Sequence, residues 1–319
     1  MKVAIAQIAP VFMNRDATLK KVVSAIADAA RAGARLVCFG ETLAPGYPAW
    51  ISRADGARWN DADQKRMHAL YLEQAVNIHD QHLARVISAA AEHRVHVILG
   101  VAERDARRGH TLFCSRVFIG AAPGGAADDA GVLSVHRKLI PTYEERLAWG
   151  IGDGAGLRTH RVEEFTVGAL NCWENWMPLA RAALLGDGED LHVAIWPGSR
   201  GLTQDSTRFF ALEGRTFVIS ASALLRDADI PADLPLRDRI VRTAGEVLYD
   251  GGSCVAGPDG RWIVEPVVGR EEIFVADLDL ARVREERQNF DPVGHYCRPD
   301  VLRLSVNRTR QVAAEFEAD

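Results

Sequence analysis

The sequence predicts an α/β fold in one domain, on three observations. Apolar strand-like runs alternate with helical periodicity through the first two thirds of the chain. Hairpin signals take over in the last third, which fits a mixed sheet or two stacked sheets with helices outside. No linker or repeat divides the 319 residues, a length that one large domain can hold.

"KVAIAQI" alternates as a strand does. "DATLKKVVSAIADAARAG" follows with apolar residues at helical spacing, Asp16 as N-cap and Gly33 as stop. "ARLVCFGET" is apolar on both faces and reads as a buried strand. Residues 62–93 carry one long helical pattern that runs into the strand "HRVHVILGVAERD". "TLFCSRVFIG" and "GVLSVHRKLI" are strands on either side of a Gly/Ala/Asp-rich loop at 121–130. "HRVEEFTVGALNC" is a strand that ends on Cys172. "WMPLARAALLG" is helical if Pro178 falls in its first turn. "DLHVAIWPG" is a strand, and a helix around "DSTRFFALEGR" leads to the strand "TFVISASALL". "GGSCVAGPDGRWIVEPV" is a hairpin across "GPDG", and "EEIFVADLDL" closes the sheet. The count is about ten strands and four or five helices. The domain spans residues 1–297; the polar tail 298–319 has no core face and suits subunit packing.

Composition narrows the function. A net charge of −5 with interleaved signs and no basic run argues against a nucleic-acid partner. Nothing approaches the apolar run of about 18 residues that a membrane span needs. The cysteines, Cys38, Cys114, Cys172, Cys254 and Cys297, are odd in number, widely spaced and free of CxxC pairs. That pattern argues against a disulfide framework or zinc ribbon and fits a reducing cytoplasm. The N-terminal apolar stretch is interrupted by Pro10 and reads as a first strand, not a signal peptide. His79 and His82 have helical spacing but no HExxH context, so no metal is expected. His136 and His192 lie in strands and read as core or hydrogen-bonded residues.

In α/β folds, reactive groups collect beyond the carboxyl ends of strands. Three such ends stand out. Glu41 follows the apolar run Leu36–Phe39, and partial desolvation there would raise its pKa and suit it to acid–base work. Lys138 is flanked by Val135, Leu139 and Ile140, with Glu144 and Glu145 a turn away; a fixed ammonium there would stabilise developing negative charge. Cys172 ends a strand where a helix begins, a setting that favours a thiolate nucleophile. Read singly, each has a plain alternative: a solvated loop glutamate, a strand-edge lysine, a buried structural thiol.

The three stretches together, "GETLAPGYPAW", "HRKLIPTYEERLAWGIGDG" and "GALNCWENWMPLAR", resemble the nitrilase superfamily of carbon–nitrogen hydrolases, as do "LHVAIWPG" and "DPVGHYCRPDVLRL". Cys-Trp-Glu at the nucleophile, with "HYCRPDV" near the end, resembles the true nitrilase branch. The resemblance implies a catalytic triad of Glu41, Lys138 and Cys172, with Glu145, seven residues after the lysine, positioning the lysine or the substrate. It implies a small-molecule nitrile as substrate, no cofactor and no metal. It also implies a four-layer α-β-β-α sandwich, dimerising to eight layers, and a homo-oligomer of two or more subunits. Two positions depart from the usual pattern: Gly40 stands where most members have proline, and Asn175 where many nitrilases have histidine. Tyr47, Trp50, Trp173, Asn175 and Trp196 are the substrate-binding candidates, and an aromatic lining suits apolar or aryl nitriles. Core packing of two or more of these rings is the other reading. Competing functions are an aliphatic amidase or cyanide-hydrolysing relative, a catalytically idle scaffold, and a redox-sensing thiol protein.

Overall fold

The computed structural model describes residues 1–121 and 131–314. In chain order the elements are β1 (Lys2–Gln7), α1 (Arg15–Arg31), β2 (Leu36–Phe39), α2 (Trp50–Arg53), α3 (Ala62–Gln74), α4 (Ala84–His93), β3 (His96–Arg104), β4 (Leu112–Ile119), β5 (Val132–Arg137), β6 (His160–Val162), β7 (Phe165–Asn171), α5 (Pro178–Gly186), β8 (Leu191–Trp196), α6 (Arg200–Gly214), β9 (Phe217–Ser222), β10 (Leu224–Arg226), α7 (Arg237–Ile240), β11 (Val247–Ala256), β12 (Trp262–Val268), β13 (Glu272–Asp277) and α8 (Leu280–Arg287). A 3-10 turn, Cys172–Trp176, links β7 to α5.

The strands form two sheets. One has the order β13-β1-β2-β3-β4-β5; the other runs β10-β11-β9-β8-β7-β6, with β12 on β11. Their central strands are parallel and buried on both faces, which accounts for the unbroken apolar runs of β2 and β8. Val3, Ile5, Leu36 and Ile98 of the first sheet meet Val167, Val193, Ile195 and Phe217 of the second in one core. On the first sheet's outer face, Leu19, Val22 and Ile26 of α1 and Val86 and Ala90 of α4 pack over Ala4, Val37, Phe39 and Val97. On the second sheet's outer face, Phe210 of α6 covers Ala194, Trp196 and Val218, and Ala180 and Leu184 of α5 cover Leu170. The layers therefore run α-β-β-α, as expected.

Local signals account for most boundaries and for the differences. Asn14, not Asp16, caps α1, its side chain accepting from the Ala17 N–H; Asp16 sits in the first turn, where its charge favours the helix N-terminus. Gly33 follows the helix at φ +83°. The pattern at 62–93 breaks into α3 and α4, because Val76 turns extended and exchanges backbone hydrogen bonds with Ala102 and Arg104 of β3. Pro178 takes the first position of α5, where its missing N–H costs nothing. The thirteen strands among the described residues exceed the expected number largely because two runs are split, one by a turn at Glu163 and one between β9 and β10. The loop expected at 121–130 lies, past Ala121, outside the described residues. The described part of the tail lies back on its own chain, with Arg308 paired to Asp187 and Arg310 to Asp153 at 3.0 Å each.

Candidate active site

Glu41 lies two residues past β2, Lys138 directly follows β5, and Cys172 directly follows β7. The topology brings these three carboxyl ends to one seam between the sheets, which sequence spacing cannot show. Gly40 makes the approach possible. A Cβ there would lie 2.6 Å from the Ala223 nitrogen and 2.9 Å from the Trp196 oxygen, so a side chain, proline included, would push the sheets apart. The Glu41 N–H then donates to the Trp196 carbonyl at 3.0 Å and pins Glu41 to the second sheet.

All four central groups are buried, none more than 5% exposed. Lys138 Nζ donates to Glu41 Oε1 at 3.0 Å and to Glu145 Oε2 at 2.7 Å. Glu145 is held in turn by the Thr142 N–H at 2.6 Å and the Tyr47 hydroxyl at 2.7 Å. One oxygen of Glu41, one of Glu145 and the Cys172 sulfur lie within 4.8 Å of one another. An ammonium already bridges the two carboxylates, so this cluster is built for Lys138 and not for a metal ion.

The electrostatics follow from burial. It pushes the Glu41 carboxyl up to about 7, against the pull of Lys138 and with the push of Glu145. Burial works against the Lys138 ammonium too, but the negative groups around it, Glu41 first, hold its pKa well above the usual lysine value. The Cys172 thiol is pushed far up by burial and then by Glu41 and Glu145, against Lys138 and the Trp173 N–H. At rest Cys172 is thus a thiol beside a carboxyl whose proton affinity suits neutral pH, an arrangement that can couple attack by sulfur to transfer of its proton.

Cys172 has φ +46°, uncommon for a residue with a side chain. Two neighbours hold it there. Glu174 accepts from the Asn171 N–H at 3.0 Å and the Leu139 N–H at 2.8 Å and pairs with His136 Nε2 at 2.9 Å. It ties the Cys172 turn to the segment that carries Lys138. Asn175 donates to the Cys172 carbonyl at 2.8 Å and the Leu170 carbonyl at 3.3 Å, and its oxygen faces His192 Nε2 at 2.7 Å.

A cavity of about 260 Å³ opens over Cys172, bordered by Tyr47, Ile51, Glu145, Trp173, Leu202 and Tyr249 among others. Residues 2–288 match the family described as carbon-nitrogen hydrolase. The chain belongs to that family. An aliphatic nitrilase of Sinorhizobium fredii (strain HH103) is 37% identical to it over 99% of both chains. Another, of Rhodococcus rhodochrous, is 34% identical over 96% of this chain and 82% of its own. A bifunctional nitrilase/nitrile hydratase of Lupinus angustifolius is 34% identical over 96% and 86%. These relatives place the chain in the nitrilase branch. The fold is shared with a carbon-nitrogen hydrolase from Helicobacter pylori G27 (TM-score 0.69, 18% identity, 94% of this chain and 96% of that one). An amidase from Nesterenkonia sp. AN1 shares it too (TM-score 0.63, 17% identity, 91% and 97%).

In this carbon-nitrogen hydrolase the structure brings Glu41, Lys138, Glu145 and Cys172 together, and Tyr47 and Trp173 border the cavity. Three other substrate-binding candidates do not border it. Trp50 packs edge-on against Tyr71, with ring centroids 4.8 Å apart. Trp196 is fully buried and donates to Ser220 Oγ at 3.1 Å. Asn175 is fully buried behind Cys172. The two tryptophans are core and the asparagine supports a turn: Trp50 opens α2 and packs on Met67 and Tyr71 of α3, Trp196 ends β8 under Phe210 of α6, and Asn175 bonds the turn's own carbonyls. Sequence reasoning missed Glu174, although Asn171-x-x-Glu174 carries the spacing of a capping box. It also missed Tyr249 and Leu202, which come from segments without a motif.

Proposed function

We propose that this chain hydrolyses an organic nitrile to the carboxylic acid and ammonia through intermediates on Cys172. The observation that carries the reading is a buried ammonium, Lys138, bridging two carboxylates beside a thiol that faces a small, largely apolar cavity. Glu41 takes the thiol proton as sulfur attacks the nitrile carbon. Charge developing on nitrogen meets Lys138 and the Trp173 N–H, and Glu41 returns its proton to that nitrogen, leaving a thioimidate. Water activated by Glu41 adds; ammonia leaves and a thioester remains. A second water releases the acid and restores the thiol. Loss of sulfur in place of ammonia gives the amide, so a minor amide product belongs to the same scheme; the naming of some relatives as bifunctional supports it.

Glu41 works as a base only when ionised. With its pKa pushed up to about 7, the carboxylate fraction falls as pH drops below that value. We expect kcat/KM for a nitrile to fall about tenfold per pH unit on the acid side, with a limb near neutrality. A profile flat down to about pH 5 would remove Glu41 from that role.

For the substrate we propose a compact apolar nitrile. The cavity of about 260 Å³ is at or below the small end for ligand sites, and the relatives named aliphatic nitrilases support aliphatic chains. Small arylaliphatic nitriles are the second reading, favoured by the Tyr47, Trp173 and Tyr249 rings at the cavity. Ammonia release from a panel of nitriles, each set against its matching amide, tests both points. Release from amides but not from nitriles would replace the nitrilase reading with an amidase one.

We further infer a single domain at 1–297, with the 298–319 tail packing between subunits of a homo-oligomer. Exposed Trp176, Leu179, Phe209 and Leu212 on and beside α5 and α6 support a second copy. No helix among the described residues is long and apolar enough to cross a membrane. All five cysteines are free, which supports a reducing, cytoplasmic setting.

A further inference from the structure

Cys114 sits on β4 and is 1% exposed, with no place on the cavity wall. Two of its groups nevertheless reach the reacting residues. Its sulfur lies 3.2 Å from Glu41 Oε1, and its main-chain carbonyl accepts the Lys138 N–H at 2.8 Å. An ionised carboxylate only accepts, so the thiol is the donor. Burial pushes that thiol far above the usual cysteine range, so it keeps its proton. Glu41 Oε1 therefore carries two donors, Cys114 Sγ–H and Lys138 Nζ–H, while Oε2 is buried with no hydrogen-bond partner among the described residues.

We propose that Cys114 is a positioning residue: it holds Glu41 and Lys138 in register, commits Oε1 to those two donors, and leaves Oε2 as the oxygen that takes the Cys172 proton. The inference rests on the nitrile chemistry proposed above. A free rotation of the carboxylate would exchange the two oxygens and spoil the aim of the base; a second donor on the same oxygen blocks it, and small misplacements of a base are costly in rate. The groups that face Glu41 are Lys138 from the end of β5, Glu145 from the turn after it, Cys172 from the second sheet and Cys114 from β4. The hydroxyls of Tyr47, Tyr71 and Tyr249 lie close enough to feel its charge. Of the neutral groups among these, only Cys114 is hydrogen-bonded to the carboxylate.

The test compares Cys114→Ala, which deletes the donor, with Cys114→Ser, which keeps one on a slightly shorter arm; Cys114→Val replaces Ala if that variant does not fold. Two readouts are taken: kcat and KM for a nitrile across pH, and the pH dependence of Cys172 alkylation by iodoacetamide, resolved by peptide mass spectrometry. Loss of a hydrogen bond to a charged group predicts a fall in kcat of about tenfold or more for Ala, with KM little changed. The acid limb of both readouts should move to higher pH, since the carboxylate loses a donor that favoured its charged form, and Ser should restore most of both. Wild-type kcat with an unmoved limb in Ala would overturn the proposal. So would equal loss in Ala and Ser with an unmoved limb, which would make Cys114 a packing residue. A wild-type protein that turns over no nitrile would sink the nitrilase reading, and the alkylation limb would still decide the role of Cys114.

Discussion

Cys172→Ala is expected to abolish nitrile turnover, by at least about 10⁴-fold, because groups that act as one unit fail together. The protein should still fold. The sulfur is buried against Ala194 and Trp196, so its removal leaves a void of about one atom, worth on the order of 1 kcal/mol. The backbone of the turn is held independently, by Glu174 on the Asn171 and Leu139 N–H groups and by Asn175 on the Cys172 carbonyl. Ammonia release and a thermal melt measure the two halves of this prediction. Turnover above background in the variant would remove the thiol from the mechanism. A complementary measurement uses the wild type. A slowly turned-over nitrile should leave its acyl or imidate mass on Cys172 and on none of Cys38, Cys114, Cys254 and Cys297. Cys38 lies between the sheets, Cys254 bonds Thr207 and Cys297 is exposed, and none of these three nor Cys114 borders the cavity over Cys172.

Apolar runs bounded by turn signals were enough to find most strands in chain order, since such runs report burial, which the sheets impose locally. They could not show where backbone pairing overrides a local tendency. Val76 left a good helical pattern because β3 offered it partners. At the site, chain order and the stretches around Glu41, Lys138 and Cys172 were legible, while their convergence depends on two sheets closing at one seam. Aromatic residues in motifs that follow apolar runs look alike in sequence whether they face a cavity, as Tyr47 does, or the core, as Trp50 and Trp196 do. Glu174 and Asn175 stand beside the nucleophile in sequence, but their work is done through His136 and Leu139, and through His192, residues that only the fold brings to them.

Lys138→Met should cost both activity and stability, and the two losses should respond differently to pH. The ammonium is 1% exposed and bonds Glu41 at 3.0 Å and Glu145 at 2.7 Å. Its removal leaves two buried carboxyls with no cation between them. Breaking a buried pair from one side costs about 3–5 kcal/mol, on the order of 10 °C in Tm for a chain of this size. The orphaned carboxyls relieve part of that cost by taking up a proton, so their folded-state pKa rises above the unfolded value. The folded state then binds more protons than the unfolded one, and stability falls as pH rises. The deficit against wild type should be small near about pH 5 and large near about pH 8. Activity should be lost by about 10³-fold or more at every pH, since a protonated Glu41 cannot act as base and nothing meets the charge on nitrogen. Adding Glu145→Gln to Lys138→Met should return part of the stability at high pH, because one buried charge is gone, and none of the activity. A Lys138→Met protein as stable as wild type from about pH 5 to 8 would show that the two carboxyls do not depend on the ammonium, and the charge arrangement proposed for the mechanism would fall with it.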